Sequence, residues 1–251
     1  MPVIDTDIVV YGSANMQETD SGTQGGAIDL TTLIVFTDLT ENTTITVVSD
    51  NAGDTTQTLT VTGRIADGSI DTEVLSLNGT TPDVGATTFE RVLKLELSAS
   101  TTGSVTVTET SGADEIAVIT AGVTTVRRPF YNVSADVSGG SEKNYYEKIF
   151  FKNENGSLAL TSATIEEVAG GVASNVEFTL ETTLDGSGTS TDRTTAPSTG
   201  VGTFSSSAQN VANSQNHSAG AAQGVWLHLT LPAGTSATNS TYTLKETGQT
   251  V

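Results

Sequence analysis

The chain of 251 residues carries 10 basic and 29 acidic side chains, a formal net charge of −19. Phosphate binding needs clustered Lys and Arg, and the one adjacent basic pair here is Arg127-Arg128, so nucleic acid is not an expected partner. The lack of any cysteine excludes disulfide scaffolds, Cys-ligated zinc and thiol catalysis, and a 35% hydrophobic content suits thin sheets with wet outer faces better than thick helix-covered ones.

The start, Met-Pro-Val-Ile-Asp-Thr-Asp, has neither a basic region nor an apolar stretch, and no run nears the roughly 18 apolar residues of a membrane span. Neither a secretory leader nor a membrane partner is expected. Residues 1 to 30 hold little hydrophobic periodicity beyond Ile8-Val9-Val10-Tyr11 and are polar from Gly12 to Gly26. This pattern predicts an extended N-terminal arm that becomes ordered on a neighbour, with Ile8, Val9, Val10, Tyr11, Met16 and Ile28 as its candidate partner-binding residues.

From Leu33 onward, short alternating runs are separated by turn residues every 8 to 12 positions or so, the spacing of antiparallel sandwiches and barrels. Strands are predicted at Leu33–Phe36, Thr44–Val48, Thr58–Thr62, Glu73–Leu77, Phe89–Leu97, Ser104–Thr108 and Ile116–Ile119. Period two puts Leu59 and Val61 on one face and sets Val74 opposite Leu75. Asp67-Gly68 and Asn78-Gly79 are hairpin signals, and the row Phe89, Leu93, Leu95, Leu97 is broken at Arg91.

Arg127-Arg128-Pro129 reads as a stiff joint, which places a boundary near residue 130 and a first β-sandwich over residues 31–130. Residues 131–251 form the second, with strands at Tyr145–Lys152, Ala163–Val168, Val176–Glu181, Val225–Leu231 and Thr241–Lys245. The Ser/Thr/Gly stretch from Gly186 to Gly202 is expected to be a surface excursion, and Ala208 to Gly224 leaves room for a short helix. The fold class is therefore all-β: two antiparallel sandwiches, Ig-like or jelly-roll-like, with an extended arm.

Catalytic patterns are not legible. His217 and His228 have no third ligand at metal spacing, and no Gly-x-Ser-x-Gly elbow or phosphate loop occurs. With 29 acidic residues, no carboxylate pair stands out for glycoside chemistry. The Asp-rich turns 50–54 and 67–71 offer hard oxygen ligands, but local side-chain to backbone bonding accounts for them without calcium. Trp226, Tyr145, Tyr146 and Tyr242 are assigned to core or interface rather than to a sugar platform. No enzyme and no cofactor is predicted.

Three stretches carry a resemblance: Asp7–Met16 leading to Gly25-Gly26-Ala27-Ile28-Asp29; Thr58–Arg64 with Asp67-Gly68, Glu73, Leu77–Thr80 and Phe89–Val92; and Gly224–Thr235. Together they resemble virion structural proteins of tailed bacteriophages. The resemblance rests on fold-forming residues and implies a virion location, on the capsid exterior after synthesis in the host cytoplasm. The implied role is a capsid decoration or cement protein whose partner is the major capsid protein and which self-associates as a trimer or other homo-oligomer. Tail, neck or baseplate positions are the alternative, and a carbohydrate-binding or adhesin module is the alternative of a different class.

Overall fold

The computed structural model describes residues 2–134, 140–168, 175–234 and 242–250, so Met1, Thr235 and Thr241 of the segments above lie outside the described residues. The chain is almost entirely β. Its strands are β1 (Ile8–Asn15), β2 (Gln24–Leu33), β3 (Ile45–Ser49), β4 (Thr58–Arg64), β5 (Ile70–Ser76), β6 (Asp83–Val84), β7 (Arg91–Leu97), β8 (Val105–Glu109) and β9 (Glu115–Ile119). They continue with β10 (Thr125–Arg127), β11 (Lys143–Asn153), β12 (Leu160–Glu167), β13 (Val176–Leu184), β14 (Thr189–Ser190), β15 (Gln209–Asn210), β16 (Asn216–His217), β17 (Ala222–Leu231) and β18 (Leu244–Thr250).

Two compact units divide the chain. One is continuous, Leu30–Tyr131; the other is discontinuous, Met1–Asp29 together with Asn132–Val251. In the continuous unit β10, β7, β4 and β5 are hydrogen-bonded in that order, and β6, β3, β8 and β9 form a second sheet. Strict alternation builds its core: Ile45 and Val47, Leu59 and Val61, and Val105 and Val107 all point inward and are buried. The break foreseen at Arg91 is a shift in the β4–β7 register between Thr62 and Gly63, where Phe89 occupies the space a side chain at position 63 would need.

In the discontinuous unit the strands run β13, β17, β11, β1, β2, and a second sheet joins β15, β12 and β16, with β18 also on β12. Residues 1–30 are therefore not an extended arm. Ile8 to Gly12 pair in register with Asn153 to Ile149 of β11, and β1 lies between β11 and β2, so both of its backbone edges are taken. The physical reason is that Ile8-Val9-Val10-Tyr11 is a β-prone run whose amides need partners, and β11 supplies them within the chain.

Two other expectations shift. The strand predicted at Leu33–Phe36 is not found: Leu33 is the last residue of β2, and residues 34–36 beyond it are not strand, with Val35 exposed. The helical segment Ala212–Gln215 is one turn, with left-handed dihedrals at Asn213 and Ser214.

Candidate functional site

The discontinuous unit gathers its chemistry on one sheet. Across β11, β17 and β13 the pairing aligns Tyr146, His228 and Glu177 in one row and Lys148, Trp226 and Thr179 in the next. Directly opposed residues of antiparallel strands share a face, so this face passes from an aromatic row into a charged interior.

There Lys148 and Glu181 meet across β17, their side chains 0% and 2% exposed, with Nζ 2.7 Å from Oε1. Gly224 lies between them, and a Cβ at that position would strike the Glu181 carboxylate. The Lys148 ammonium donates to Glu181, to the Gly26 carbonyl at 2.8 Å and to the Gly186 carbonyl at 3.0 Å. The Gly188 amide donates to Glu181 Oε1 at 3.0 Å. Nζ also sits 4.5 Å from the Phe150 ring centroid. Burial pushes the Lys148 pKa down and Glu181 opposes that shift. With all three ammonium protons engaged, this is a clasp holding the Gly25-Gly26 corner and the 186–188 turn onto the sheet, not a free nucleophile.

Two further buried pairs have the same character. Arg193 donates to Glu147 at 2.7 Å, both side chains fully buried, and to the Asn132 side chain and the Glu18 carbonyl. It corrects the view of 186–202 as a mere surface excursion, since the loop inserts its one cation into the core. His217 packs Nδ1 2.6 Å from Glu246 and directs Nε2 to the Ala221 carbonyl at 3.0 Å. A carbonyl only accepts, so Nε2 carries a proton, and the contact ties β18 to β16.

At the more open end of the face, Tyr146 stacks on His228 with ring centroids 4.6 Å apart, and Phe204 meets both at 5.6 and 5.4 Å. His228 Nε2 is 2.7 Å from Asn144 Oδ1, and Thr230 Oγ1 donates to the same oxygen at 3.1 Å. Burial pushes the His228 pKa down, against the pull of Glu177. Tyr146, Phe204 and His228 are half-buried, whereas Trp226 and Tyr145 are core. Beside β14, a polar groove of about 340 Å³ is lined by Thr23, Ala196 and hydroxyl side chains of residues 189–198.

In the continuous unit the acidic turns are hydrogen-bonded, Asp67 within its own turn and Asp54 largely by a distant one. Asp54 is buried and accepts from the Thr102 and Gly103 amides at 2.9 and 3.0 Å and from Ser49 Oγ at 2.7 Å. Asp67 accepts from the amide and hydroxyl of Ser69. Strand β5 differs. Among the described residues it pairs only with β4, over seven residues without a register shift, and exposes Val74 (63%) and Ile70 (47%), with Val84 of β6 at 53%.

The six predicted partner-binding residues fall in β1, just after it, or in β2. Ile8, Val9, Val10, Tyr11, Met16 and Ile28 are all half-buried, and the Tyr11 hydroxyl donates to Glu154 at 2.9 Å. Sequence reasoning missed Lys148, Glu181, Glu147, Arg193 and Glu246. For Lys148 and Glu147 a signal existed, because charged residues inside an aromatic, strand-forming run imply buried partners; for Arg193 and Glu246 none did.

Among the described residues no group of three or more His, Asp or Glu side chains is placed to hold a metal ion, and no helix is long and apolar enough to cross a membrane. Compared with known proteins, the chain matches no family model, no curated protein and no solved structure.

Proposed function

We propose that the chain is a non-enzymatic structural protein that works by binding a larger assembly, a tailed-phage virion, where it attaches to the outer capsid surface and stabilises the shell as a decoration protein built of two β-sandwiches. The observation that carries an assembly role is the outward β-branched row on β5, an exposed apolar edge of the kind that marks interaction sites. The three segments resembling virion proteins supply the particular assembly. The buried charged pairs agree with this reading, because Lys148 and His217 spend their donors on fixed protein acceptors and the Arg193 guanidinium is held by Glu147, Asn132 and the Glu18 carbonyl. Such a protein stabilises a shell by linkage, binding assembled subunits better than free ones.

The test is the copy number of the protein relative to the major capsid protein in purified virions. A ratio of the same order supports decoration. A few copies per particle retires that role in favour of the tail, neck or baseplate.

A second reading has its own observation. The half-buried Tyr146, Phe204 and His228 rings, flanked by Asn144, Thr230 and Glu177, combine aromatic and polar groups as carbohydrate sites do. A glycan array answers it: sugar binding that Tyr146→Ala abolishes establishes the lectin reading, and an empty array removes it.

A further inference from the structure

The edges of the sheets are not treated alike. The outer edge of β13 is covered, with Phe178 and Ser205 exchanging backbone hydrogen bonds and Thr182 donating to Gly200. The edge strand β18 carries the exposed Lys245 and Gly248, residues that discourage pairing. Strand β5 has no proline, no lysine and no bulge. The Leu77 amide donates to Gln57, which fixes the phase of the β4–β5 ladder and leaves the amides of Thr72, Val74 and Ser76 facing away from β4. Ser76 is met by Asp83, and Thr72 by the side chain of Asp71. Among the described residues the outward Val74 amide has no hydrogen-bond partner, beside the exposed side chains of Val74 and Ile70.

From this geometry we infer that β5 is a docking strand, which takes an extended segment of a partner protein as an added antiparallel strand whose residues alternate between β-branched and basic. The charge pattern selects the occupant. Asp71 and Glu73 lie on the strand itself and Asp83 reaches it at the Ser76 amide, so the edge is acidic, although Glu73 also accepts from the Ala86 and Thr87 amides at 2.6 and 3.1 Å. A second copy pairing antiparallel about Thr72 would set Asp71 directly opposite Glu73 of the copy, a like-charge pair that opposes association, whereas lysines or arginines there would be favoured. Added main-chain bonds supply affinity, and alternate side chains against Ile70 and Val74 supply register.

The inference deepens the assembly reading and rests on it, so the experiment separates the two. The full chain is titrated with a synthetic peptide of about nine alternating Lys and Val residues, enough to span β5. Parallel titrations use its backbone N-methylated form and an alternating Glu-Val form, and sedimentation reports self-association. Saturable binding of the Lys-Val peptide is expected, with slowed exchange of the Val74 amide. Val74→Pro, tolerated on an edge because it removes only an outward amide, is expected to weaken binding by at least about tenfold. Val74→Lys gives the same loss by charge and guards against a misfolded proline variant. The proposal is overturned if the N-methylated or Glu-Val peptide binds as well, if both Val74 variants bind like wild type, or if sedimentation shows a dimer that the variants abolish, which would make a second copy the occupant. Rebinding to phage particles stripped of the protein is measured separately; failure there with peptide binding intact removes the virion reading and leaves the docking strand.

Discussion

Lys148 and Glu181 show how a low-hydrophobicity chain places charge inside a sheet. Removing one partner strands the other without water, so Lys148→Ala or Glu181→Gln is expected to cost about 3 to 5 kcal/mol in chemical denaturation of the discontinuous unit. Replacing both by Met and Leu should recover most of that loss, because the desolvation of the pair disappears with it. If the double variant is as unstable as either single one, the clasp is not what holds the glycine corner. Asp54 gives the pH counterpart. Its two amide donors and Ser49 hold the carboxyl below its ordinary value of 3.8, with the Thr102 amide the largest contributor. A depressed carboxyl contributes stability that is present above its unfolded pKa and lost as pH falls through the folded one. Acid should therefore destabilise the continuous unit below about pH 4. Asp54→Asn should flatten that part of the stability profile while lowering stability at neutral pH, and an unchanged acid limb would show that other carboxylates dominate it.

At the scale of elements, local pattern and distant pairing part company. Strands such as β3, β4 and β8 are legible because inward valine, leucine and isoleucine alternate with threonine, and period two has one solution once a face is buried. The same alternation set Val74 and Leu75 on opposite faces, and the structure turns Val74 outward and Leu75 inward. What the pattern does not contain is the partner of each strand. Ile8-Val9-Val10-Tyr11 looks alike whether it pairs with another molecule or with β11, more than a hundred residues away, and only the register Ile8 with Asn153 decides. The charged clasps were hidden for the same reason, since Glu181 and Lys148 lie on strands that never adjoin and meet only across Gly224. The pairing carries a prediction. Deleting residues 2–15 exposes the edge of β11 and the Phe150 and Phe151 region that β1 lines, so the truncated chain should lose cooperative unfolding of the discontinuous unit and bind hydrophobic dyes. A truncated protein with an unaltered unfolding transition would mean that β1 is dispensable and that an arm-like role for it is open again.

Across the whole molecule, the two units differ in how their chain is assembled. The continuous one closes within about a hundred residues, while the other must bring Met1–Asp29 back to a sheet made by Asn132–Val251. Contacts separated by the full length of an intervening unit carry a larger loop-closure cost and form more slowly than those within one stretch. Residues 30–131 hold their own buried core of Ile45, Val47, Leu59, Val61, Phe89, Leu95, Val105 and Val107 and both of their sheets. Expressed alone, this segment is expected to give dispersed amide resonances and one cooperative melt. Residues 132–251 alone lack β1 and the first half of β2, including the Gly26 carbonyl that receives Lys148, and should remain unfolded or aggregate. Adding residues 1–29 as a separate chain, at concentrations that replace the lost tether, should restore structure, because the missing piece is two strands and their backbone partners rather than any residue of the intervening unit. If 132–251 instead folds cooperatively by itself, β1 and β2 are accessories to that sheet, and the N-terminal strands regain the freedom to exchange onto a neighbouring molecule.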